Sequence, residues 1–207
     1  MVLLLCLAIP VGAESKSGFD TFTLYYENDF LFGTDRDYTS GLKLTWSTPF
    51  TRDAASAKWP PWAYQLMDRL PFVNDSEQQR ALSFSFGQNI YTPEDIESEE
   101  LIPDDRPYAG RTYVAAGFHG ETKRRHSAWE LNIGMLGPAS YAEQTQKLVH
   151  ELNGARNPQG WEHQLKNEIT LDAIFETQWK LGHPDNLRGF SYDFIPHLGT
   201  RIGTVNV

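Results

Sequence analysis

The chain has 207 residues, enough for a single domain with a sizeable core. Eighteen Lys and Arg against twenty-seven Asp and Glu leave a net charge of -9, which repels phosphate backbones and argues against a nucleic-acid partner. Cys6 is the single cysteine, so an internal disulfide is excluded.

Residues 1–13 form the one continuous apolar stretch, too short for a membrane-spanning helix of about 20 residues. They read as a secretory leader: Val11-Gly12-Ala13 has the small-residue spacing of a cleavage site, and Glu14-Ser15-Lys16-Ser17 opens a polar mature end. No Lys or Arg precedes Val2, so the charged start of such a leader is expected upstream. A buried N-terminal strand is the alternative, against which stands the lack of β-patterning. The division is a leader over 1–13 and one β-domain over 14–207.

From Gly18 onward, apolar residues recur with period two in windows of about ten, the pattern of strands. Phe22, Leu24 and Tyr26 alternate with Thr21, Thr23 and Tyr25. Leu42, Leu44 and Trp46 alternate with Lys43, Thr45 and Ser47. Leu82, Phe84 and Phe86 oppose Ser83, Ser85 and Gly87, and Thr112, Val114, Ala116 and Phe118 oppose Arg111, Tyr113 and Gly117. Two more windows follow at Trp129–Met135 and Ile169–Trp179, and a seventh, Tyr192–Val207, is ambiguous.

The same alternation fits a soluble sandwich with its apolar face inward or a membrane barrel with that face outward. The leader, the window lengths and the aromatics near window ends (Tyr26, Trp46, Trp129 and Trp179) favour an antiparallel transmembrane β-barrel. Seven strands is an odd number for such barrels, and Gly203-Thr204-Val205-Asn206-Val207 stops within an alternating run, so the chain is expected to be part of a larger barrel.

Between windows, Trp59–Gln79 reads as a surface loop with a short helix. The acidic segment Glu94–Asp105 reads as a solvated loop, with a divalent-cation site as the weaker alternative. Ser140–Gly154 is the one clear helix: Ser140 and Glu143 have capping-box spacing, Gly154 is a C-terminal stop, and Leu148, Val149 and Leu152 make an apolar side. Gln146 and His150, four apart, share a face. Imidazole exchanges protons near neutral pH, which makes His150 a candidate general base; covering a neighbouring strand is the plainer role open to it. Asn28, Asp29, Thr34, Asp35 and Asp37 offer hard oxygens suited to calcium, although Asp and Asn are also ordinary turn residues. Neither a His-x-x-x-His pair nor a Gly-x-Ser-x-Gly element is present.

Seven motifs in order carry a resemblance: Asn28-Asp29, Tyr38-Thr39-x-Gly41, Tyr91-x-Pro93, Asp105-Arg106-Pro107-Tyr108-Ala109-Gly110, Gly137-Pro138, Gln146-x-x-x-His150 and Trp161-x-x-Gln164. Together they resemble the outer-membrane lipid A 3′-O-deacylase family, the LpxR family. The resemblance implies a twelve-stranded barrel in the outer membrane of a Gram-negative bacterium, of which this chain holds about seven strands. It also implies a monomeric, calcium-dependent esterase that hydrolyses the 3′-linked acyloxyacyl chain of lipid A, in contact with outer-membrane lipids. Carried over, His150 is the base and Gln146 its orienting neighbour, with Asn28, Asp29 and Thr39 as the polar floor near the calcium. Strand parity puts Asp29 on the Thr21 and Thr23 face, which makes it the metal ligand of choice. The chain departs from the family pattern after Pro93, where Glu94-Asp95-Ile96-Glu97 replaces a Lys-Arg pair, leaving Arg106 as the candidate oxyanion-stabilising charge. A passive porin-like barrel and a calcium-dependent phospholipase are the competing readings.

Overall fold

The computed structural model describes residues 3–10, 18–28, 40–53, 57, 59–75, 77–181 and 194–204. They form one antiparallel sheet of eight strands in sequence order: β1 (Leu3–Pro10), β2 (Thr21–Asn28), β3 (Ser40–Ser47), β4 (Gln79–Tyr91), β5 (Ala109–Glu121), β6 (Arg125–Leu136), β7 (Glu168–Trp179) and β8 (His197–Gly203). Each of the seven periodic windows contains a strand, the ambiguous seventh over His197–Gly203, and β1 and β8 are the edges among the described residues. Helices α1 (Pro61–Met67) and α2 (Ala142–Asn153) lie in the connections after β3 and β6.

The apolar N-terminal segment supplies the eighth strand, paired with β2 from Leu3↔Asn28 to Pro10↔Thr21. The strand alternative is met in part: Leu7 and Ile9 are exposed at the sheet edge instead of buried. Whether residues 1–13 are removed on export is read from the N-terminus of the mature protein.

Burial decides which way the sheet faces. Ser83, Ser85, Asn132, Thr170 and Asp172 are buried, whereas their in-strand neighbours Phe84, Phe86, Leu131, Ile133, Ile169 and Leu171 are exposed. A soluble sandwich would show the reverse, so the polar face is the inside of a curved wall and the apolar face its outside. Strands β4 and β5 have 13 residues each and β6 and β7 have 12, beyond the 9–11 of a tilted membrane strand.

Polar pairs cross the concave side. Lys43 on β3 makes an ion pair with Glu130 on β6. Strands three places apart lie roughly 14 Å from one another in a flat sheet, so this pair requires the wall to curl. Arg111 bonds Thr170 Oγ1 at 2.9 Å and the Asp172 carboxylate, to which Arg201 on β8 adds a contact at 2.9 Å. The Arg111 guanidinium also lies 4.6 Å from the Tyr113 ring centre. Every charge in this buried cluster has a counter-charge, which such burial demands.

The connection after β3 folds back over the outer face at one rim. Ala63 and Met67 of α1 pack with Trp59 on Phe118, the Trp129 indole donates to the Pro71 carbonyl at 3.0 Å, and Phe72 lies 5.1 Å from Phe175. The expected surface loop thus carries its short helix but also buries outer-wall aromatics.

Candidate active site on the outer wall

At the opposite rim the β6–β7 connection brings α2 onto the outer face of β4 and β5. Gly137, with φ of +90°, makes the turn; a Cβ there would meet the Lys166 backbone at 2.6 Å. A 3-10 turn follows at Pro138–Ser140, and the Ser140 carbonyl accepts hydrogen bonds from Gln88 Nε2 at 2.9 Å and Thr112 Oγ1 at 2.7 Å. Gly110 allows the close approach, since a Cβ at that position would stand 2.1 Å from Ala142 Cβ and 2.5 Å from Ser140 Oγ.

The expected capping box does not form. Tyr141, in the left-handed region at φ of 58°, is the residue before the first helical turn, and no side chain caps the helix. Ser140 Oγ lies only within 3.4 Å of the Ala142 amide, and Glu143 instead pairs with Lys147 at 2.7 Å. The turn from Gly137 starts the helix one residue later than the motif spacing implies, with Tyr141 instead of Ser140 as the N-cap. Gly154 does end it, with φ of 73° and its N–H on the His150 carbonyl.

Helix α2 buries Ala142, Gln146 and His150, at i, i+4 and i+8, while Leu148, Val149 and Leu152 are exposed. The apolar side of the helix therefore faces out, and the shared Gln146–His150 face is the one turned to the wall. Gln146 is 3% exposed, and its Oε1 accepts from the Trp161 indole Nε1 at 2.9 Å. An indole nitrogen only donates, so this bond fixes the amide orientation and turns Gln146 Nε2 the other way. That buried nitrogen has no acceptor among the described residues.

His150, 5% exposed, bonds the Arg156 carbonyl oxygen through Nδ1. A carbonyl can only accept, so the proton sits on Nδ1 and the lone pair on Nε2. Trp161 is held from behind: its ring lies 4.7 Å from Tyr108, whose hydroxyl donates to the Ile96 carbonyl at 3.1 Å. Both rings pack with Ile90 and Ala142.

The sheet register places the other expected site residues. Asn28, Ser40, Ile90 and Gly110 make one continuous row across β2, β3, β4 and β5. Gly110 lies under the start of α2, and Gln146 is tied through Trp161 to Ile90 on β4, so the helix runs from β5 over β4 toward β2 and β3. The side chain of Asn28, and Asp29 and Thr39 entirely, lie outside the described residues. Arg106 is half-buried on the β4–β5 connection, where it lines a small cleft with Tyr108, Gly160 and His163. Nothing in the sequence marks the roles of Tyr108 or the Arg156 carbonyl, and the Trp161-x-x-Gln164 motif is the one signal for Trp161.

A curled antiparallel sheet, apolar outside and polar within, with a Gln-His helix face clamped on its outer wall, defines a β-barrel protein of the membrane type. The family model described as outer membrane protein LpxR matches residues 1–207, and the chain belongs to that family. Among solved structures it is similar to LpxR from Salmonella typhimurium, with 22% sequence identity and a TM-score of 0.62 over 86% of this chain and 53% of that one. The chain thus spans about half the length of that protein. No curated protein matches it in sequence.

Proposed function

We propose that this chain carries the catalytic wall of an outer-membrane, calcium-dependent esterase that removes the 3′-linked acyloxyacyl chain of lipid A. The observation that carries the reading is the buried Gln146–His150 face, with the imidazole oriented by the Arg156 carbonyl. A solvated rim helix would have no reason to bury two polar side chains against a barrel wall.

His150 takes a proton from water at Nε2 as the water oxygen bonds to the acyl carbon. The imidazolium then returns that proton to the departing sugar oxygen as the acyl–oxygen bond breaks. Gln146 Nε2, a buried donor without an acceptor among the described residues, fits an ester or water oxygen at this point. Arg106 is the candidate side chain for the charge that develops on the carbonyl oxygen.

The donor set fits calcium. The strand that ends at Asn28 on the α2 rim leads straight into Asp29, with Thr39 preceding β3, and these are hard oxygen donors. Asn28, in the Ser40–Ile90–Gly110 row beneath α2, and the charged Asp29 next to it would hold the ion, and bound calcium would supply Lewis-acid polarisation of the ester carbonyl.

Expression of the full coding sequence in a Gram-negative host lacking lipid A deacylases provides the test. Lipid A is expected to lose the mass of one acyloxyacyl group, and His150→Ala or EDTA to prevent the loss. Unchanged lipid A with released lysophospholipid would replace this reading by a phospholipase. No change in either lipid, with the barrel folded, would leave a passive barrel.

A further inference from the structure

From the exposed side of α2, we infer that this helix is seated in the acyl region of the outer leaflet, with Leu148, Leu152 and Val149 in contact with lipid chains. The inference rests on the reading of the chain as a membrane barrel and adds to it where the catalytic helix stands relative to the lipid.

Three observations point the same way. At 100° per residue, Tyr141, Leu148, Leu152 and Val149 fall within a strip about 100° wide, and all four are exposed, Leu152 by 79%. The opposite flank carries Glu143 and Lys147, which line a cleft with Glu99, Gln159 and Glu162 from the connections that rise beyond the strand ends. The charged flank thus faces away from the barrel belt, and the apolar strip faces toward it.

Second, α2 lies on the outside of the wall. Gln88, Ile90, Gly110 and Thr112, on which the segment from Ser140 packs, share the strand face of Phe84, Phe86 and Val114. A helix docked there continues the surface that exposes Phe86, Ile133 and Leu171.

Third, the bare belt is too short without it. Between Thr112, beneath the helix start, and Phe118, covered by the α1 connection, lie six residue steps. At about 3.4 Å per residue and a tilt near 40°, these span roughly 16 Å along the membrane normal, against an apolar band of about 25 Å. The shortfall of about 9 Å is close to one helix diameter of about 10 Å. The α1 connection, which exposes Trp62 and Phe72, extends the belt at one end, and an exposed apolar helix extends it at the other, as an interfacial helix does.

The test uses the full-length protein, with Cys6→Ser and one added cysteine carrying an environment-sensitive fluorophore, refolded into phosphatidylcholine vesicles with or without bromine on the acyl chains. Leu152→Cys is expected to lose fluorescence to brominated lipid as strongly as the belt control Ile133→Cys. Glu151→Cys, on the polar side of the same helix, is expected to respond to aqueous iodide instead. Iodide quenching at Leu152 with bromine quenching at Ile133 would overturn the inference and leave the barrel reading intact. Protection of Leu152 from both quenchers would overturn it in favour of a protein partner. Loss of bromine quenching at Ile133 itself would overturn the barrel reading and the inference together.

Discussion

Replacing Gly110 by alanine tests whether the seat of α2 governs chemistry. An ideal Cβ at Gly110 stands 2.1 Å from Ala142 Cβ and 2.5 Å from Ser140 Oγ. Carbon atoms rest about 3.5–4.0 Å apart, so the start of α2 must retreat by roughly 1.5–2 Å. Overpacking of this kind costs about 1–3 kcal/mol, too little to unfold a barrel whose β4–β5 ladder is unchanged. The catalytic consequence is larger, because a misplacement of about 1 Å costs on the order of 100-fold in rate. On the proposed deacylase reading, lipid A turnover by the purified full-length protein is therefore expected to fall about 100-fold or more, with heat-modifiable gel mobility unchanged.

Ala142→Gly removes the nearest colliding atom, so the double variant is expected to recover part of the loss; Ser140 Oγ still opposes full recovery. Full activity in Gly110→Ala would show that the position of α2 does not limit turnover. A loss that Ala142→Gly leaves untouched would show that the contact with Ala142 is not its cause.

Trp161→Phe keeps the ring on Tyr108 but removes the donor to Gln146 Oε1, leaving a buried carbonyl unpaired at a cost of about 1–3 kcal/mol; turnover is expected to drop about tenfold or more, measured as the change in kcat/KM. Asp172→Asn strips the counter-charge from Arg111 and Arg201 within the wall, and breaking such a buried pair costs about 3–5 kcal/mol; the urea midpoint of the refolded protein is expected to fall while turnover per folded molecule holds. Arg106→Gln is expected to lower kcat by about 10²–10³-fold if Arg106 faces the developing oxyanion, with Arg106→Lys milder; an unchanged kcat would remove Arg106 from that role.

The strands were legible because a period of two is local: Phe84 and Ser85 betray opposite faces without knowledge of any other strand. The period alone does not say which face looks outward, since both solvents produce the same string; the window lengths and terminal aromatics favoured an outward apolar face, and the buried Ser83 and Ser85 beside the exposed Phe84 and Phe86 bear that out. The helix and its Gly154 stop were likewise readable. Its orientation was not legible, because the string shows one apolar side and one Gln-His face without saying which meets the wall; on the outside of this wall Gln146 and His150 turn toward the protein. Ser140 and Glu143 have the spacing of a capping box, but Gly137 and Tyr141 in left-handed conformations set the helix start elsewhere. The locks on Gln146 and His150 come from Trp161 and a backbone carbonyl at Arg156, and a carbonyl leaves no trace in a sequence.

The acidic connection shows what that means for the departure from the family pattern. A solvated loop describes its acidic side chains but not Ile96, which packs on the Tyr108 and Trp161 cluster, nor its backbone. The Ile96 carbonyl accepts from both Tyr108 Oη at 3.1 Å and the Gln159 amide at 2.7 Å, which fastens the segment to the ring that carries Trp161 and to the chain that returns from α2. Asp105 holds the other end, accepting from the Glu94 amide at 2.6 Å and the Arg106 amide at 2.7 Å. The Glu97–Arg156 ion pair adds a side-chain link, but both groups are exposed and such a pair contributes about 0–1 kcal/mol. Main-chain groups therefore do most of the fastening. Residues 94–97 can then change from basic to acidic without displacing Trp161 or His150. The same fastening holds Arg106 at the foot of the segment, beside Tyr108, as one of the basic side chains of this rim.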